Sequence, residues 1–510
     1  MNIATRAPTE ILCEIFLLLC DMPIALHELD RSRLYEFPWA AGQVCRHWRS
    51  AFLSYPALWS SLSIEDPSDG YPSVAYVAEM ERRTAIYLKR SEPHPLTVTV
   101  SVRSSFVQGF CNEAWDMLLS CSDRWKKLDL WISNEFFMDG LISRRGKMPI
   151  LESLRLSVTK FKHRKDLTAF QIAPRLTELD LMHGVEGERG WGFPWAQLTK
   201  LTIDLPLSPD FADSHSLRAF LLQLQNVEEL RFSISSVNEG FGALKSPPVR
   251  FARLRLLEIS LVYPGVLSWF EAPLLEDLLA YCGPFSATYN PDECTRELSS
   301  LVHRSLCHIR RLTLRNCELE VAHSIMKALT SIEKLCIKYS SMSLRHGPRL
   351  VQDIAEADGI YLPNLQMLQL PCCPRDFERY VSLISYLFEV RNRKPRLESA
   401  SSEMASLERL TVAVDGTDIG CWGYETFYKN MKSIDNALEA MCRWPSFSVT
   451  GLNTNTNAIL TVCASAAGAL VDLTIHYPKV SHYYLEARRR HYSILESKFP
   501  SASSLFINYN

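Results

Sequence analysis

The sequence predicts an α/β chain: a small all-helical module, then a solenoid with a curved parallel sheet and helical or irregular returns on its convex side. Three observations carry that prediction. Two segments before residue 54 place apolar residues at helical spacing. A six-residue phrase, L-x-x-L-x-L with Ile, Val or Trp allowed, then recurs along most of the chain. The composition, 47% hydrophobic and 22% charged residues among 510, supplies an ordinary globular core.

The first helix opens at Thr9-Glu10, behind Pro8, and places apolar residues at 11, 12, 15, 16, 18 and 19. That stripe is wide enough to serve a core and a partner at once. An irregular insertion runs from about Asp21 to Pro38. A second helical pattern follows from Ala40 to Leu53, with Ala41, Val44, Cys45, Trp48 and Phe52 on one face and Arg46, His47 and Arg49 largely off it. Pro56 stops it, Leu58-Trp59 supplies a large apolar plug, and Leu62 and Ile64 begin a strand-like alternation.

The order Pro-x-Glu-Ile-Leu-x-x-Ile-Phe from Pro8, Val-Cys-Arg-x-Trp-Arg from Val44 and Pro-x-Leu-Trp from Pro56 resembles an F-box, in the form common among fungal F-box proteins. Ala7 stands where the family usually has Leu, and the insertion between the halves is longer than in the compact form. The resemblance covers roughly residues 7 to 64. It implies a helical module that docks onto the Skp adaptor, and through it onto the cullin, of an SCF-type ubiquitin ligase. By position, Pro8, Ile11, Leu12, Ile15, Val44, Cys45 and Trp48 are the apolar candidates for that interface or for the packing beneath it. The expected domains are therefore the adaptor-binding module at 1–64, a helical connection at 65–95 and the repeat body at 96–510.

The repeat phrase is centred on Leu128, Leu154, Leu179, Leu201, Leu230 and Leu257, which lie 26, 25, 22, 29 and 27 residues apart. Further copies are centred on Leu312, Leu335, Leu368, Leu410 and Leu473, with a weaker one at Leu278. The period is that of leucine-rich repeats. A single phrase is an ordinary buried strand; eleven in series stack into one parallel sheet with a continuous apolar interior. Segments such as Ser216 to Gln225 and Ala322 to Leu329 read as helical returns, and prolines such as Pro174, Pro273 and Pro363 stop the chain ahead of a strand. Wider spacing after Leu370 places insertions near 375–406 and 413–468; the polar run 391–406 reads as a surface loop and Gly451 to Asn457 as a turn-rich connection.

Residues flanking each central leucine alternate to the outward face of the sheet. Among them Glu178, Asp180, Glu229, Arg231, Glu258, Arg311, Lys334 and Arg409 are the candidate substrate-binding residues. Acidic residues gather around 178, 180, 229, 258 and 277, and basic ones further along, so the face is expected to be polarised and suited to a protein of complementary charge. Acids and bases balance across it, as they do in the whole chain, with 55 Lys+Arg against 57 Asp+Glu. A groove that tracks phosphates is dominated by Lys and Arg, so no nucleic acid is expected.

No phosphate loop, HExxH, GxSxG or paired CxxC motif is present, so no catalytic residue is assigned. His303 and Cys307 are spaced to share a helical face, but two ligands do not complete a zinc site, and no metal or cofactor is expected. The 15 cysteines have no regular spacing, which fits a reducing compartment, the cytoplasm or the nucleus. No apolar run is long enough to cross a bilayer. The expected role is a non-catalytic substrate receptor: the module holds the adaptor, the repeats hold an unidentified protein substrate, and proximity does the rest. The alternative is a repeat scaffold whose F-box acts outside ubiquitylation.

Overall fold

The computed structural model describes residues 7–19, 24–25, 40–65, 73–102, 112–132, 135–158, 168–182, 192–206, 214–236, 247–261, 263–282, 291–317, 322, 325–326, 328–338, 352, 362–372, 409–415, 446–453, 458–466 and 469–477. The chain is α/β, built on long runs of parallel strands, and divides into two compact units, Met1–Phe241 and Gly242–Asn510. That division falls inside the range expected as one solenoid.

The first unit begins with α1 (Thr9–Leu19), β1 (Ile24–Ala25), α2 (Ala41–Val44) and α3 (Arg46–Ser54). The pattern expected as one helix from 40 to 53 is two. Cys45 is extended, at φ −161° and ψ 172°, and its Sγ accepts a hydrogen bond from the Trp48 backbone N–H at 3.5 Å, capping α3. A 3-10 turn, Pro56–Trp59, then leads into β2 (Ser61–Glu65), which pairs in parallel with β1 on one side and with β3 (Leu96–Val102) on the other.

Between those strands lies α4 (Val74–Arg90), capped by the Ser73 hydroxyl, which accepts from the Tyr76 N–H at 3.2 Å. Met80, Thr84, Tyr87 and Leu88 form its buried stripe. The sheet therefore begins at β1 and β2, with α4 as the first crossover over it. The next returns are α5 (Asn112–Ser120) and α6 (Glu135–Ile142). They approach closely at Gly140, where an added Cβ would stand 2.6 Å from Leu119 and 2.8 Å from Trp115.

From β3 the parallel order continues through β4 (Trp125–Ile132), β5 (Ser153–Val158), β6 (Glu178–Met182), β7 (Lys200–Pro206) and, after α7 (Ser214–Leu221), β8 (Glu229–Ser236). The register aligns Val98, Leu128, Leu154, Leu179, Leu201 and Leu230 in one buried column, with Val100, Leu130, Leu156, Leu181, Ile203 and Phe232 beside it. The repeated phrase reads out this alignment directly. Just before the strands one carbonyl takes two N–H groups of the next repeat: Glu152 from Thr177 and Glu178, Thr177 from Thr199 and Lys200, Thr199 from Glu228 and Glu229.

In the second unit a short parallel pair, β9 (Val249–Arg250) and β11 (Phe270–Glu271), flanks β10 (Leu256–Ser260) in sequence. The parallel series runs β10, β12 (Asp277–Tyr281), β13 (Arg311–Arg315), β14 (Lys334–Lys338), β15 (Met367–Cys372) and β16 (Arg409–Asp415). Leu257, Leu278, Leu312, Leu335, Leu368 and Leu410 share one register position, so the weaker phrase at Leu278 is a full rung. The helical return α8 (Pro291–Ser305) crosses from β12 to β13.

Two expectations change at the end of the chain. Gly451 to Asn453, read as a turn-rich connection, belongs to β17 (Ser446–Asn453), which pairs antiparallel with β18 (Ala458–Ala466); β18 in turn pairs antiparallel with β19 (Ala469–Tyr477). Part of the expected insertion at 413–468 is thus regular strand, while 375–406 lies outside the described residues. The last phrase is also shifted: β19 runs parallel to β16, but Leu410 faces Val471 and Leu473 faces Val412. A slip of two keeps every residue on its own face of the sheet, so the hydrophobic pattern accepts either register.

Candidate interaction surfaces

Helix α1 has two apolar faces. Leu12, Cys13 and Phe16 are buried, and Phe16 makes edge-to-face contacts with Trp48, centroids 5.3 Å apart, and Phe52, at 6.4 Å. Phe52 meets Trp59 at a tilted angle of 48°, centroids 5.0 Å apart, and the Trp59 indole N–H donates to the Phe52 carbonyl at 3.1 Å. Burial, with help from Glu10 and Glu14, pushes the Cys13 thiol up, so it packs as a small neutral group. His47 Nε2 lies 2.9 Å from the Ala7 carbonyl and ties α3 to the start of α1.

The opposite face points to solvent. Ile11, Ile15 and Leu18 are 53%, 39% and 77% exposed, four and three residues apart along α1. Val44 on α2 and Leu53 on α3 are exposed as well. Among the seven residues assigned from the sequence, the structure therefore places Pro8, Ile11, Ile15 and Val44 at the surface, Leu12 in the core, and Cys45 and Trp48 half-buried between them. Leu18 and Leu19, which the helical spacing put on the apolar stripe of α1 without assigning them to the interface, and Leu53 share the exposed apolar character.

On the outward face of the first unit the charges answer one another across the strands. Arg155 on β5 reaches Asp129 on β4 at 3.3 Å and Asp180 on β6 at 3.0 Å. Lys200 on β7 reaches Glu178 on β6 at 3.7 Å and Glu229 on β8 at 3.3 Å. Glu229, and then Glu178, push the Lys200 ammonium up; burial opposes but does not cancel the hold of Asp180 and Asp129 on Arg155. Burial pushes the Asp129 carboxyl up, against the pull of Arg155. The acidic cluster expected at Glu178, Asp180 and Glu229 is thus not a free negative patch, because the register slots a cation beside each acid. Arg231 on β8 is exposed.

In the second unit Arg311 on β13 pairs with Asp277 on β12, and Arg315 with Glu258 on β10 at 3.3 Å. Lys334 and Lys338, at the two ends of β14, are exposed and have no acidic partner among the described residues. Cys336 between them is half-buried, and burial pushes its thiol up. Arg409 holds the register position after Met367 in the same row; its side chain lies outside the described residues.

Among the described residues no group of three or more His, Cys, Asp or Glu is placed to hold a metal ion. The suggested His303 and Cys307 face does not form: α8 ends at Ser305, and Leu306 turns the backbone to φ 52°, so the buried Cys307 lies beyond the helix. Among the described residues no helix is long and apolar enough to cross a membrane. No protein-family model matches the chain, and no curated protein matches it.

Proposed function

We propose that the chain is the substrate-recognition subunit of an SCF-type ubiquitin ligase, its N-terminal module an F-box that docks onto the Skp adaptor and its strand repeats, of the leucine-rich kind, the body that holds a target protein. The observation that carries the reading is the second apolar face of α1. Leu12, Cys13 and Phe16 already complete the module's core, so Ile11, Ile15 and Leu18 are spent on nothing inside it. An exposed stripe at helical spacing is what a helix-in-groove partner reads. The ordered motif from Pro8 to Trp59 names that partner as the adaptor, with the cullin behind it.

In this role the chain supplies no acid, base, nucleophile, metal or cofactor. It holds a protein near a ubiquitin-loaded enzyme and so raises effective concentration, in the cytoplasm or the nucleus. The test is co-purification of the full chain with the Skp adaptor. Ile11→Glu with Ile15→Glu is expected to weaken retention about a hundredfold, since two anchor side chains are replaced by charges, while leaving the far-ultraviolet spectrum unchanged. Retention by the double variant at the wild-type level, or no retention by the wild type, overturns the reading.

A further inference from the structure

The outward face of β12 to β15 is organised in rows that run across the strands. One row is Asp277, Arg311, Lys334 and Met367; the next, two residues along, is Leu279, Thr313, Cys336 and Gln369; the third carries Tyr281, Arg315 and Lys338. The outer rows are basic over β13 and β14, and the middle row carries no charge. Asp277 and Glu258 neutralise Arg311 and Arg315 at one end, which leaves the lysines of β14 as the unbalanced charges among the described residues. The same end offers apolar surface: Tyr281 is 37% exposed, and Leu279 is half-buried on the outward side.

We infer that this face, and not the outward face of the first unit, is the recognition surface, and that its occupant is an extended acidic segment of a protein with an apolar side chain at one end. The inference rests on the reading of the repeats as a substrate-binding body and names the chemistry of the substrate. Lys334 and Lys338 are four residues apart on one strand, about 13 Å, and the uncharged row lies midway. An extended chain laid along that row sends successive side chains to opposite sides, so neighbouring carboxylates meet opposite rails. Crossing from β12 to β15, three spacings of about 4.8 Å, takes about four residues. Glu258 and Asp277, by holding Arg315 and Arg311, leave no unbalanced positive charge for acids at the β12 end, where Leu279 and Tyr281 receive the apolar side chain; this fixes the direction of the segment. The first unit offers no such rails: Arg155 and Lys200 are already held between acids, and the other exposed outward cations, Lys127 on β4 and Arg231 on β8, stand four strands apart in different rows.

The proposal is tested by fluorescence anisotropy of the full chain with a labelled peptide containing Leu-Asp-Glu-Asp-Glu, its isostere Leu-Asn-Gln-Asn-Gln, and a single-stranded oligothymidylate of matched charge. The acidic peptide is expected to bind about tenfold more tightly than the isostere at low salt, with the difference fading as salt rises. Lys334→Glu with Lys338→Glu removes that preference; Lys127→Glu, the same kind of charge reversal on the outward face of the first unit, leaves it within about twofold. Lys334→Ala with Lys338→Ala, which adds no repulsion, lowers it by a smaller factor. Equal binding of the two peptides, equal loss in the Lys127 variant, or tighter binding of the oligonucleotide overturns the proposal. Adaptor retention is scored on the same samples: a chain that keeps the peptide preference without the adaptor refutes the ligase reading alone, and a chain that keeps the adaptor without the preference refutes this proposal alone.

Discussion

On the outward face of the first unit Arg155 and Lys200 each sit between two acids, whereas on that of the second unit Arg311 stands beside Lys334 and Arg315 beside Lys338. The two faces are built on the same strand phrase and the same kind of parallel register. What differs is the sign order from one repeat to the next. When sign alternates at one register position, cross-strand pairing neutralises the face; when it repeats, the pairing costs some repulsion and leaves potential for a partner. Charge on a repeat surface is therefore informative only after the repeats are aligned.

The largest expected effects are ones that should not distinguish the two units. Leu154→Ala and Leu335→Ala both empty a buried site in the leucine column, and each is expected to cost about 2–5 kcal/mol in urea unfolding. If one is nearly silent, the units are not equivalent inside, and the contrast cannot be ascribed to their outer faces. Next in size is Arg155→Ala, expected to lose about 1 kcal/mol because it removes two ion pairs and leaves Asp129 and Asp180 with no cation between them. Lys334→Ala, with no pair to lose, should stay within about 0.5 kcal/mol in the same measurement. Equal effects would break the distinction between paired and unpaired faces.

The smallest effect concerns an ion pair inside one helix. Hydrogen bonds from Arg82 and then Arg83 hold the Glu79 carboxyl at about 2, below its ordinary 4.5. A depressed carboxylate adds stability that is fully present above about pH 4.5 and is lost as pH falls through about 2. The cluster is at the surface, with Arg82 exposed and Glu79 and Arg83 half-buried, so the contribution is a few tenths of a kcal/mol after screening, roughly 0.5 at most. Comparing acid unfolding of wild type and Glu79→Gln reads it; a larger difference would show that surface pairs in this protein exceed the size assumed for Arg155.

The leucine column was legible in the sequence because period-two alternation and a repeat of 22 to 29 residues leave few ways to align Leu128 with Leu154 or Leu312 with Leu335. The end of the chain was not: Val471, Leu473 and Ile475 are all apolar, so hydrophobicity does not choose between registers two residues apart. Helix α1 was legible as a helix but not in its orientation, since Ile11 and Leu12 are equally apolar and only the packing of Phe16 against Trp48 and Phe52 selects the inner face. The break at Cys45 left no pattern in a segment whose apolar spacing suits one continuous helix. The salt-bridge columns were hidden for a different reason: Asp129, Arg155 and Asp180 are far apart in sequence and meet only through the register.

The aromatic contacts of the first unit have a mechanical consequence. Phe16 touches Phe52, Phe52 touches Trp59, Trp59 meets Tyr87 of α4 at 4.9 Å, and the Arg90 guanidinium lies 4.4 Å over the Trp59 ring. Trp59 is followed within two residues by β2, a strand hydrogen-bonded to β3. Helix α1 is thus joined to the head of the sheet by a row of packed rings. A partner seated on Ile11 and Ile15, as proposed, would take its bearing on strands β2 to β4 through that row of rings, as a tool head takes its aim from its handle. Trp59→Leu, which keeps apolar bulk but removes the ring that couples Phe52 to Tyr87, would loosen that aim while leaving both ends of the lever in place.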